Sequence, residues 1–191
     1  MAINLQKGQR VSLDNSLKMV LVGLGWDTNR YDGGYDFDLD ASAFMLGENG
    51  KITCDEDFVF YNNKTGRNGA VIHQGDNLTG EGDGDDEVIV IDFAKVPDNI
   101  QKIAICVTIH EALERRQNFG QVSNAYVRVA KIANEFDFAG EDQLRFELEE
   151  EFSIETGLIV CEIYKHNGQW KFNAVAAGYQ GGLEAILNMY Q

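Results

Sequence analysis

The chain is 191 residues long, 44% hydrophobic, 25% charged and 10% aromatic, a composition that excludes a disordered or collagen-like chain. The length lies near the usual domain prior of ~150 residues, so one domain spanning residues 1–191 around a sizeable core is expected. Sixteen Lys and Arg against 31 Asp and Glu give a net charge of −15, a field that repels phosphates and removes nucleic acid and anionic membrane surfaces as expected partners.

The longest apolar stretches, residues 19–26 and 103–109, fall short of the ~18 to 20 needed to cross a bilayer, so no membrane insertion is expected. Residues 1–10 hold no hydrophobic core of a secretory signal, and a cytoplasmic location is expected. Cys54, Cys106 and Cys161 are odd in number and in no CxxC arrangement; they are read as reduced, with Cys106 and Cys161 packed in the core.

In chain order, β-type runs are predicted at 19–24, 37–46, 58–61, 88–93, 103–109, 125–132, 144–148, 158–164 and 170–176. With 20 glycines and only Pro97 as proline, turns rest on Gly, Asn and Asp. One helix is predicted from His110 to Gln117 and a second over 183–190, after Gly181 and Gly182. The expected fold is all-β: a β-sandwich of two mainly antiparallel sheets with a short helix after a central strand and a C-terminal helix.

The charge is concentrated. Residues 27–87 carry 15 acidic and 4 basic side chains. Within residues 75–87, Asp76, Glu81, Asp83, Asp85, Asp86 and Glu87 crowd together with no Lys or Arg among them, a loop whose compaction calls for something positive inside. Ca²⁺ takes six to eight oxygen ligands, and Gly80, Gly82 and Gly84 let the chain turn successive carbonyls inward. The alternative is a solvated acidic loop. In a second cluster, Asp36, Asp38 and Asp40 alternate with Phe37, Leu39 and Ala41, which on a strand puts three carboxylates on one face about 7 Å apart. Its bland counterpart is the charged outer face of an edge strand. An EF-hand is excluded, because Ala41 stands where the loop needs Gly and Gly47 where it needs Glu.

The segments Val22-Gly-Leu-Gly-Trp-Asp27, Asp36-Phe-Asp-Leu-Asp-Ala-Ser42, Phe58-Val-Phe-Tyr-Asn-Asn63 and Gly75 to Glu87 strongly resemble the TerD/TerE family of bacterial tellurite-resistance and stress proteins. The likeness continues in register through Val107-Thr-Ile-His110, residues 117–123, Glu162 to His166, Trp170-Lys-Phe172 and Gly178 to Gly182. The resemblance implies a cytoplasmic, non-enzymatic calcium-binding β-sandwich acting in stress response, with other Ter proteins, including a membrane-associated Ter complex, as partners. It carries about two Ca²⁺ ions onto Asp27, Asp36, Asp38, Asp40 and the acidic loop, here Asp76, Asn77, Glu81, Asp83, Asp85, Asp86 and Glu87. Asn62 and Asn63 are further oxygen donors or loop braces, or a turn after a strand.

Rival chemistries have weaker support. A carboxylate-based hydrolase needs two isolated acids with separated pKa values, not a crowd of them. His73, His110 and His166 lack zinc-ligand spacing, and each is read as a packed or surface histidine. A calcium-dependent carbohydrate-binding module would use Trp26 or Trp170, but Trp26 ends an apolar run and is expected in the core. Direct capture of the tellurite oxyanion is not expected at so acidic a face.

Overall fold

The computed structural model describes residues 2–14, 16–27, 34–75, 84–148 and 154–191. Among the described residues, twelve strands form two six-stranded sheets packed face to face. In chain order they are β1 (Ile3–Asn4), β2 (Arg10–Ser12), β3 (Met19–Gly25), β4 (Leu39–Leu46), β5 (Phe58–Val59), β6 (Val71–His73), β7 (Glu87–Asp92), β8 (Lys102–Ile109), β9 (Tyr126–Lys131), β10 (Glu141–Glu147), β11 (Gly157–His166) and β12 (Gln169–Tyr179). The first sheet runs β1-β10-β9-β3-β7-β6 and the second β2-β12-β11-β8-β4-β5. Every pairing is antiparallel except that of β1 with β10.

Period-two alternation sorts the side chains. From β3, Val20, Val22 and Leu24 point between the sheets, as do Leu39, Ala41, Ala43 and Met45 from β4 and Ile103, Ile105 and Val107 from β8. The outer faces are apolar as well. On the first sheet Leu21, Val88, Val90 and Ala130 form a satellite cluster. On the second, Phe44, Leu46, Ala104 and Cys106 lie under a C-terminal helix, α2 (Gly182–Tyr190), which buries Ile186 and Tyr190 there. Cys106 and Cys161 are buried thiols, and burial pushes both above the ordinary cysteine range.

Three differences from the expected boundaries bear on the acidic segments and their neighbours. β4 begins at Leu39 rather than 37, so Asp36 and Asp38 precede the strand and do not share a strand face with Asp40. β5 stops at Val59 because a turn closes at once, Phe60 and Asn63 exchanging backbone hydrogen bonds of 3.1 and 2.9 Å. The helix expected over 110–117 is a single turn, α1 (Ala112–Arg115), flanked by Glu111 and Arg116 in the left-handed region at φ 49° and 55°. That backbone conformation cannot propagate a right-handed helix. No helix among the described residues is long and apolar enough to cross a membrane.

Candidate functional site

The register sends the acidic stretches to one end of the sandwich. Leu24 lies opposite Glu87, Gly25 opposite Tyr126, and Leu39 opposite Ile109. Residues 25–27, 36–40, 84–87 and 109–117 therefore meet there, although up to 92 positions separate them in the chain.

Hydrogen bonds fasten these segments. Trp26 folds into the core as expected, and its Nε1 donates to the Phe37 carbonyl at 3.0 Å. Its backbone N–H donates to Asp86 Oδ2 at 2.9 Å, while the Asp86 N–H donates to the Leu24 carbonyl at 2.7 Å. Glu87 opens β7 with its side chain between the sheets, and its Oε2 accepts from the Ala41 N–H of β4. One carboxylate thus bridges the two sheets at the point where β4, beyond its short pairing with β5, has an amide to satisfy.

The acids here are withdrawn from water: Asp38, Asp40 and Glu87 are 5%, 6% and 1% exposed. Buried carboxylates are costly unless compensated. Arg115 Nη1 lies 3.2 Å from Asp38 Oδ2, and its other branch is 3.4 Å from Glu111. Asp40 faces His110 Nδ1 at 3.4 Å and Glu87 faces His73 Nε2 at 3.5 Å, rings that carry charge only when protonated. Asp86 is half-buried; burial pushes its carboxyl above the ordinary value of 3.8, the Trp26 amide opposes this, and the nearby Asp85 charge adds to it. Asp27 accepts from Asn124 Nδ2 at 2.8 Å. Asp36 is exposed, and its carbonyl, with that of Tyr35, accepts from the buried Gln117 side chain at 3.2 and 2.8 Å. Asn62 is exposed in the turn, and Asn63 braces it by donating to the Phe58 carbonyl at 2.6 Å.

Asp85, one of the expected calcium ligands, stands apart: the positive charge beside it among the described residues is a side chain of the protein. Its carboxylate is gripped by Arg128 of β9, with Nη2 2.7 Å from Oδ2 and Nε 2.9 and 2.8 Å from the two oxygens. Tyr126 donates to Asp85 Oδ1 at 3.1 Å and to the Gly84 carbonyl at 2.8 Å. Burial, then the Asp85 charge, pushes the Tyr126 hydroxyl up to about 12. Arg128 also meets Asp142 at 2.5 Å and donates to the Phe138 and Ala139 carbonyls. A protein cation separated by 43 positions neutralises Asp85, a partner that no local pattern reveals.

Asp76, Asn77, Glu81 and Asp83 lie outside the described residues. Among the described residues, no three Asp, Glu, His or Cys side chains form a group that could hold a metal ion. The donor set nevertheless suits a hard cation: carboxylates and carbonyls dominate, and Arg115 sets a guanidinium at Asp38. The tryptophans do not offer a sugar platform, since Trp26 is buried and Trp170 lies between Phe93 and Lys165, each 5.1 Å away.

Comparison with known proteins settles the family. The model of the TerD domain matches residues 1–190. The chain belongs to the TerD family. It is 53% identical to general stress protein 16U of Bacillus subtilis (strain 168) and 51% identical to tellurium resistance protein TerD of Serratia marcescens, each alignment covering 100% of this chain and 97% of the relative. The crystal structure of a TerD homologue from Streptomyces coelicolor A3(2) superposes with a TM-score of 0.73 over 92% of this chain and 99% of that one, at 23% identity, which shows the shared sandwich. The TerD family is one of tellurium-resistance and stress-response proteins.

Proposed function

We propose that this TerD-family chain is a non-enzymatic calcium-binding stress-response protein in which about two Ca²⁺ ions order the acidic end of the sandwich for contact with partner proteins, in the first place other Ter-family proteins. The observation that carries the reading is the burial of Asp38, Asp40 and Glu87 at one end of the fold, with Asp27, Asp36 and Asp86 beside them. Among the described residues, Arg115, shared with Glu111, and two histidines face the buried three, and Arg145 lines a pocket with Asp27 and Asp86. A divalent cation prefers such a gathering of carboxylate and carbonyl oxygens and adds positive charge where acids are buried together. Asp76, Asn77, Glu81 and Asp83 precede this end in sequence and complete the proposed donor set. Asp85, engaged by Arg128, is left out of it.

A cytoplasmic location is part of the same reading, and direct tellurite binding is not, because the acidic end repels an oxyanion. Calcium titration of the purified protein, with stoichiometry as the readout, tests the proposal.

A further inference from the structure

Beside the acidic end, on the second sheet, runs a groove of about 580 Å³ between α1, the start of α2 and Ile154. Its rim is apolar. Leu113 of the one-turn α1 is 90% exposed and Ile154 is 59% exposed, with Leu183 of α2 on the same groove. Exposure of Leu113 is built in rather than incidental. The left-handed residues on both sides of α1 fix its course, and Arg115 clamps it to Asp38 while Gln117 ties the following residue stretch to the Tyr35 carbonyl.

The charged residues lining the groove are acidic, with His110 beside them. Asp40 lies on its floor, and Glu114 and Glu184 approach from α1 and α2, neither of them ion-paired among the described residues. Among the described residues, no Lys or Arg lines it. The amides of Gly181 and Gly182 at the start of α2 donate to Thr156 Oγ1 at 3.2 and 3.0 Å, so these two donors are taken.

We infer that this groove is a docking site for a partner-protein segment that sets a Lys or Arg beside an aliphatic anchor, the anchor on Leu113 and Ile154 and the cation between Glu114 and Glu184. The inference rests on the partner-binding reading above and specifies its surface and chemistry. Charge complementarity decides the occupant: a net −15 chain with acids on both sides of an apolar groove attracts a basic segment and repels an anionic bilayer.

The test uses a fluorescein-labelled 12-residue peptide alternating Leu with Lys, with Leu/Glu and Ser/Lys versions as controls, read by polarisation against the full chain. Leu113→Ser with Ile154→Ser, and separately Glu114→Gln with Glu184→Gln, should each weaken Leu/Lys binding at least about fivefold. Glu48→Gln with Asp98→Asn, exposed acids at the opposite end, should change it less than about twofold. Equal loss in the distal pair, Ser/Lys binding as tight as Leu/Lys, or no binding at all would overturn the inference. Displacement by spermine but not by excess Leu/Lys peptide would also overturn it, since the site would then take a small polyamine. Calcium titration of the same variants separates the two readings. Groove variants that keep calcium but still bind peptide normally sink the groove alone, whereas variant-sensitive peptide binding in a chain that takes up no calcium sinks the calcium reading alone.

Discussion

The carboxylate of Asp85 lies directly over Gly23, so close that a β-carbon at position 23 would fall 2.1 Å from its Oδ2. Gly25, two residues on in β3, leaves room in the same way for the Tyr126 ring, whose nearest atom would be 2.5 Å from an added β-carbon. These two glycines are the reason the outer face of the first sheet can hold a half-sequestered ion pair between Asp85 and Arg128.

Gly23→Ala should therefore destabilise by about 1–3 kcal/mol, the usual cost of overpacking. Arg128→Gln should cost about 2–4 kcal/mol, because it strands the Asp85 carboxylate. Urea denaturation measures both. In an Asp85→Ala background the Gly23→Ala cost should shrink, and full additivity would show that the two positions do not interact.

Ligand and structural acids should separate in a calcium titration. Asp38→Asn and Asp40→Asn should each weaken affinity about tenfold or more, which is about 1.4 kcal/mol or more in binding free energy. Asp85→Asn should lower stability while leaving calcium affinity within about threefold, because its charge is spent on Arg128. Parallel losses in all three variants would point to a diffuse counter-ion atmosphere instead.

The pH response of the calcium-free protein follows from Asp86, whose carboxyl is held above 3.8 chiefly by burial. With the folded form binding its proton more tightly than the unfolded form, Asp86 contributes stability at low pH that is lost as pH rises through its folded range. In EDTA, wild type should lose ground to Asp86→Asn as the pH rises above the ordinary aspartate value of 3.8, as followed by thermal melts. With calcium at pH 7 the order should reverse. A difference independent of pH in EDTA would contradict the assignment.

Calcium should also raise the melting temperature, since only the folded chain assembles the donors. At 100 times the dissociation constant, one site adds ~2.7 kcal/mol, or roughly 5 to 11 °C for a chain of this size. Differential scanning calorimetry in calcium and in EDTA measures the shift.

The sandwich was largely legible because β3, β7, β8 and β9 are long apolar runs whose alternation fixes their faces. β1, β2 and β6 were missed: each is two or three residues long, too short to display a period. The segment 36–38 reads as strand by alternation, yet Trp26 Nε1 binds the Phe37 carbonyl and His110 N–H the Asp38 carbonyl, so tertiary bonds shape it. The acids of the candidate site were visible as composition, but their partners were not. Arg115, Arg128 and His73 reach them across the fold, and Glu111 and Arg116 carry no glycine-like signal of their left-handed backbone.

Isothermal titration of calcium into the EDTA-stripped and dialysed chain, repeated with magnesium, tests the central claim most directly. About two Ca²⁺ ions per chain, bound in preference to Mg²⁺, is the expected result, because crowded oxygen donors suit the larger ion better than a strict octahedron. Less than one ion bound at ~1 mM calcium, at the weak end of protein calcium sites, would contradict it.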